Sequence, residues 1–221
     1  MTNLPKVDGG RGSFANRLGE MISFLYVQRI RGFATPSEPS LDGPTSNRLR
    51  SELEKAGAYL EFGSGGSTIL ADRLNVPTVT IESDPYYARA VRKGLKNFSV
   101  EILTPDIGLT GPWGWPLFKR PTPKRLARWQ QYARMPFERY DRSFPDVVLV
   151  DGRFRVACAL ETAWQAHRRG VRSTLIIDDY SMRPHYRTVE QAIGCPEMVG
   201  RAAVFAVGLR AVPRPRAIDP A

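Results

Sequence analysis

From residue 46 to residue 194 the chain alternates between short apolar runs and segments of helical periodicity. The runs are AYLEFG (58–63), TVTIES (78–83), SVEILTP (99–105), DVVLVDG (146–152) and STLIIDD (173–179). Helical stretches at 46–56, 66–75, 85–96, 153–169 and 186–194 separate them. Strands that recur between helices predict a parallel sheet covered on both faces, because parallel neighbours need a crossover that only a helix of this length supplies. The valine and leucine density of DVVLVDG fits a strand buried on both sides. The expected fold class is therefore α/β, a doubly wound and mostly parallel sheet.

Three segments fall outside the alternation. Phe14, Leu18, Met21, Ile22, Leu25, Tyr26 and Ile30 recur at helical spacing and predict an amphipathic helix over 13–31. Its apolar stripe would pack on the parent domain or form a homodimer contact. ATPSEPSLDGPTS (34–46) is a linker by composition. Residues 1–12, polar and glycine-rich, read as mobile. The organisation is an N-terminal helix and linker over 1–44 and one domain over 45–221, with 106–145 as an insertion after the third strand. That insertion is far longer than ordinary connections in such folds. The apolar tail from Glu197 to Leu209 would add one or two closing strands.

With 221 residues, 42% hydrophobic and 24% charged, the chain can build one sizeable core. It has no apolar run of the roughly 18 residues a membrane span needs and no secretory layout at its start, so the cytoplasm is the expected location. Cys158 and Cys195 have no disulfide or metal spacing. The net charge is +10, and the segment Leu117–Arg142 supplies +6 of it. Such a block suits an acidic substrate, nucleic acid, an anionic membrane surface or merely a solvated helix face.

The turn YLEFGSGGSTILAD carries the most specific chemistry. Gly63, Gly65 and Gly66 stand where the first strand meets a helix whose leading amides are free. A dinucleotide site would show G-x-G-x-x-G, but position 68 is Thr. Glu61, two residues before Gly63, would repel a pyrophosphate and suit a ligand with an ammonium group. Glu82 ends the second strand 19 residues after Gly63, where an acid can accept both ribose hydroxyls. Asp84 is its competitor, or a cap for the next helix.

On these residues the chain resembles the class I S-adenosylmethionine-dependent methyltransferases, whose first motif is an acid followed by G-x-G. The resemblance covers roughly 45–195. It implies a Rossmann-like fold, S-adenosyl-L-methionine as cofactor, and contacts from Glu61, Gly63, Ser64, Gly65, Ser67 and Thr68. It also assigns ribose to Glu82 and adenine to Asp106, which by itself is an ordinary turn aspartate.

Asp151 ends the fourth strand, and Asp178 and Asp179 end the fifth. Carboxylates gathered at adjacent strand tips repel one another, and a hard cation such as Mg²⁺ relieves that. The layout is similar to that of the Mg²⁺-dependent O-methyltransferases of the catechol type. LIIDDYSMRPHYRTVEQAI is closer still to the macrocin-type enzymes that decorate antibiotic sugars. Those sugar enzymes carry an acid two residues after the first aspartate, where this chain has Arg153. A simpler reading makes the three acids helix caps and turn residues.

The expected activity is methyl transfer to a hydroxyl of a small molecule such as a sugar. Without a metal, Asp151 or His185 would serve as general base. Arg153, Trp113, Trp115 and Tyr180 are the candidate substrate contacts. RNA methylation or RNA binding is an alternative, since Trp113, Trp115, Trp129 and Tyr132 interleave with basic residues. A non-catalytic nucleoside-binding module is another.

Overall fold

The computed structural model describes residues 14–97, 99–140 and 144–215. The expectations for residues 1–12 and for Arg142 lie outside the described residues. Seven strands form one sheet in the order β3-β2-β1-β4-β5-β7-β6. These are β1 (Tyr59–Phe62), β2 (Thr78–Ile81), β3 (Val100–Leu103), β4 (Val147–Val150), β5 (Ser173–Ile177), β6 (Glu197–Val199) and β7 (Ala202–Val207). The first five are mutually parallel. The tail supplies both closing strands as a hairpin, with β7 antiparallel to β5 and β6 antiparallel to β7. That reversed hairpin, with β7 between β5 and β6, departs from the 3-2-1-4-5-6 order of dinucleotide folds.

Side-chain alternation along the strands divides the interior into two cores. Leu60, Phe62, Val148 and Val150 point to one face, under α6 (Arg155–Arg169) and α5 (Pro123–Arg134). Tyr59, Val147, Leu149 and Ile176 point to the other, under α2 (Gly43–Leu53) and α3 (Gly66–Arg73). This period of two, with both faces covered, is why β1, β2 and β4 are buried at every position.

Helix starts follow local capping chemistry. Asp42 accepts from the Thr45 amide and Pro44 fills the first turn, so α2 begins three residues earlier than the apolar pattern suggests. Asp84 caps α4 (Pro85–Gly94) by accepting from the amides of Tyr86 and Tyr87. Thr122 caps α5 in the same way. The expected helix at 186–194 is mostly a 3₁₀ turn, Pro184–Val189, followed by the short α7 (Glu190–Ile193).

The N-terminal segment packs on the domain. Helix α1 (Phe14–Tyr26) ends in one π-helical turn, Val27–Arg31. From it Gln28 donates to Asp84 at 2.7 Å. Phe33 meets Tyr87 edge to face. The linker then crosses the start of α3 so closely that a Cβ at Gly66 would stand 1.8 Å from the Glu38 carbonyl oxygen. Arg73 holds the linker there through Glu38 and the Ser37 carbonyl. On the outer side of this segment Ile22, Tyr26 and Ile30 are exposed.

The insertion divides into two parts with different roles. Its first half is a small loop closed by a Thr110–Pro116 bridge. Its second half is α5, whose Trp129 and Tyr132 are fully buried against Phe62 and Phe154. Among the described residues no helix is long and apolar enough to cross a membrane.

Candidate functional site

The carboxyl ends of β1, β2, β4 and β5 open into one cleft of about 480 Å³. It lies where the chain reverses direction across the sheet, between β1 and β4, the usual ligand position in open α/β sheets. Gly63 turns the chain there with φ +100°, and a Cβ on it would sit 2.7 Å from the Gly152 backbone. A β1 loop and a β4 loop therefore touch through two glycines. Gly63, Ser64, Gly65, Gly66 and Ser67 line the cleft.

Glu61 does not. It is completely buried beneath the turn, where it accepts hydrogen bonds from Ser67 and from Thr68, the latter at 2.5 Å. Thr68 in turn accepts from the Gly65 amide at 2.8 Å. The acid thus shapes the turn from below, and Thr68 is equally absent from the cleft wall. Burial raises the Glu61 carboxyl to about 7, with the Ser67 and Thr68 hydroxyls opposing the shift. A carboxyl raised on folding lets the folded state hold the proton more tightly, so this group's contribution to stability falls as pH rises from about 4.5 to about 7. Melting temperatures of wild type and Glu61→Gln between pH 5 and 8 test this. The variant should gain on the wild type as pH rises, and a constant difference would contradict the assignment.

Glu82 faces the cleft. It accepts from the Ser64 amide at 3.2 Å, the Ser64 hydroxyl at 2.8 Å and the Asp84 amide at 2.9 Å. Burial raises its pKa, against those hydrogen bonds. Asp84 is occupied by the α4 cap and by Gln28. Above Glu82 the insertion loop closes the wall: Ser83 donates to the Gly114 carbonyl at 3.2 Å, between Trp113 and Trp115. Phe24 and Phe33 add an apolar side from the N-terminal segment.

The three strand-end aspartates do converge. Asp151, Asp178 and Asp179 can bring one carboxylate oxygen each within 4.8 Å of the others. Arginines, however, already fill the space between them. Arg201 grips Asp178 with two bonds, 2.8 and 2.6 Å, and lies 3.3 Å from Asp179. Arg155 bridges Asp151 at 2.9 Å and Asp179 at 3.1 Å and also donates to the backbone carbonyls of Asp151, Gly152 and Asp178. Two guanidiniums neutralise most of the charge that would attract a divalent ion and take the oxygens it would bind. The donor set does not fit Mg²⁺. Burial still raises the Asp151 carboxyl, with Arg155 opposing and the two neighbouring aspartates adding to the rise.

Other expected residues are distributed differently. Asp106 is 68% exposed and paired to Arg128 at 2.9 Å, outside the cleft wall. His185 is exposed and packs on Tyr186, also outside that wall. Tyr180 is buried and donates to Glu190 at 2.8 Å, behind β5. Trp113, Trp115 and Arg153 do line the cleft. Trp129 and Tyr132 contribute to the core, so they form no exposed stacking platform. Several basic residues of the insertion are tied down as well, Arg128 to Asp106, Arg134 to Glu161 and Arg139 to Glu101. Arg155, which directly follows the fourth-strand aspartate in DGRFR and from sequence could bind a substrate anion or face solvent, lines the cleft but is paired with Asp151 and Asp179. Arg201, Tyr87 and Phe33 are cleft residues that no sequence motif singled out.

The sequence matches no protein-family model, and no curated protein is similar to it. Solved structures are. A methyltransferase-like protein from Silicibacter pomeroyi DSS-3 is 36% identical, with a TM-score of 0.68, over 80% of this chain and 92% of that one. A Podospora anserina methyltransferase solved with SAH aligns over 80% and 76% of the two chains, at 14% identity and a TM-score of 0.41. A T. thermophilus 16S rRNA methyltransferase solved with AdoMet and guanosine aligns over 83% and 44%, at 16% identity and a TM-score of 0.40. The last two are too distant to bear on chemistry. The first is close enough over nearly its whole length to settle kinship: the chain belongs to the methyltransferase-like family that the Silicibacter pomeroyi protein represents.

Proposed function

We propose that the chain is an S-adenosylmethionine-dependent methyltransferase that modifies a hydroxyl of a small molecule without a metal ion. The observation that carries this reading is Glu82, held by Ser64 and Asp84 at the mouth of a glycine turn with a carboxylate beneath it. Bound S-adenosylmethionine supplies an electrophilic methyl group on a sulfonium and carries no phosphate. The residues fit such a ligand: Gly63, Ser64, Gly65 and Ser67 offer close backbone, and Glu82 offers oxygens for a ribose diol. Asp106, expected to contact adenine, stands outside the wall.

Acceptor chemistry then falls to Asp151, the cleft acid with a raised pKa. A carboxylate tuned toward neutrality takes a hydroxyl proton more effectively than an ordinary aspartate. Arg155 fixes its orientation through the 2.9 Å ion pair. His185 is displaced from this role by its exposure. Phe24, Phe33 and Trp115 narrow the cleft and exclude water around the reacting group.

RNA as acceptor has less support, because two of its four proposed stacking residues are buried and three insertion arginines are paired. A radiolabelled methyl-transfer assay over a panel of small hydroxylated acceptors tests the proposal. Turnover should be equal in EDTA and in MgCl₂; turnover that requires added Mg²⁺ would refute the metal-free mechanism. Cofactor binding with no transfer to any acceptor class, RNA included, would favour a non-catalytic module.

A further inference from the structure

Four arginines line the cleft: Arg153, Arg155, Arg183 and Arg201. Three are matched to acids, Arg155 to Asp151 and Asp179, Arg183 to Asp179 at 3.7 Å, and Arg201 to Asp178 and Asp179. Arg153 is the exception, having no carboxylate within ion-pair distance among the described residues. Its guanidinium lies 4.4 Å from the centre of the Trp115 ring, and its Nε is buried without a hydrogen-bond partner.

An arginine placed like this is costly to keep. It gives up hydration and sits beside the cationic Arg155; in return it gains the Trp115 cation–π contact and a longer-range attraction from Asp151, but no ion pair with a described residue. Lys119 approaches the same Trp115 ring at 5.1 Å, so the wall carries a second positive charge. Backbone geometry also commits residues here: Trp113 and Phe154, on either side of this wall, both adopt φ near +60°, at 60° and 54°, a conformation that bulky residues rarely take. The wall is cationic, and Arg153 within it has no counter-charge at ion-pair distance among the described residues.

We propose that Arg153, braced against Trp115, is an anion subsite for the methyl acceptor, so that the substrate is a small molecule bearing a carboxylate or phosphate besides its hydroxyl. The planar guanidinium fork offers two parallel donors to such a group. The inference rests on the cleft being the acceptor side of the methyltransferase site. A small anion is favoured over an RNA strand because the vacant charge lies inside the cleft, whereas Arg128, Arg134 and Arg139 of the insertion are paired to acids.

The test is calorimetry on the full chain loaded with S-adenosylhomocysteine, using benzoate, phenyl phosphate and neutral benzyl alcohol as probes. At least one anionic probe should bind about tenfold or more tightly than benzyl alcohol, as charge-assisted pairing implies, and the two anions distinguish carboxylate from phosphate. Arg153→Gln should remove that preference with S-adenosylhomocysteine affinity intact, and Arg153→Lys should retain part of it. Equal affinity for charged and neutral probes in the wild type would overturn the inference. So would a preference that survives Arg153→Gln, a loss of S-adenosylhomocysteine binding in that variant, or binding of a single-stranded RNA in place of all three probes. Failure of the wild type to bind S-adenosylhomocysteine would instead remove the methyltransferase reading itself, and the anion preference can then be measured on the unloaded chain.

Discussion

Arg201→Ala is expected to destabilise the protein by about 3–5 kcal/mol, the usual cost of leaving a buried charge without its partner. Asp178 has no exposed surface, and both its oxygens receive hydrogen bonds from Arg201. Truncating the arginine strands that carboxylate beside Asp151 and Asp179. The double variant Arg201→Ala/Asp178→Asn should recover much of the loss, because the uncompensated charge is gone; that non-additivity identifies the pair as the cause. Urea unfolding with and without MgCl₂ measures it. A metal centre would behave differently: removing Arg201 would free ligands, and Mg²⁺ would restore the stability. Restoration by Mg²⁺ of wild-type, metal-dependent stability would contradict the arginine-neutralised cluster.

The second large effect concerns the nucleoside. Glu82→Ala should weaken S-adenosylhomocysteine binding by about a hundredfold, since two hydrogen bonds to a charged acceptor are lost at roughly 1.5 kcal/mol or more each. Packing should change little, because Ser64 and Ser83 stay within reach of water in the cleft. Burial raises the Glu82 pKa, so protonation sets in at a higher pH than for a free glutamate. Binding should accordingly decline on acidification from a higher pH than an unperturbed glutamate would give, while the alanine variant, already weak, should show no such decline. Wild-type affinity in Glu82→Ala would move the ribose elsewhere.

The strand–helix alternation was readable because burial on both faces demands unbroken apolar runs, and those runs stand out in DVVLVDG and STLIID. The turn at Gly63 was readable for the same kind of reason, since a left-handed φ and a close loop contact leave few choices of residue. Glu61 shows where such reading stops: whether its carboxylate faces a ligand or the Ser67 and Thr68 hydroxyls depends on which side of β1 it occupies, and it occupies the buried side. Arg201 lies 23 residues beyond Asp178, in the turn of the β6–β7 hairpin that returns beside β5, and no local spacing announces an ion pair made from that turn. Trp129 and Tyr132 looked like a stacking platform beside arginines. They are core residues because α5 lies flat on α6, a tertiary choice that composition does not encode.

The central claim, that the cleft above Gly63 and Glu82 holds a nucleoside methyl donor, is tested most directly by calorimetric titration of S-adenosylhomocysteine into the full chain in EDTA. One-to-one binding, unchanged by added Mg²⁺ and severely weakened by Glu82→Ala, is the predicted result. No binding in either EDTA or MgCl₂ would contradict it.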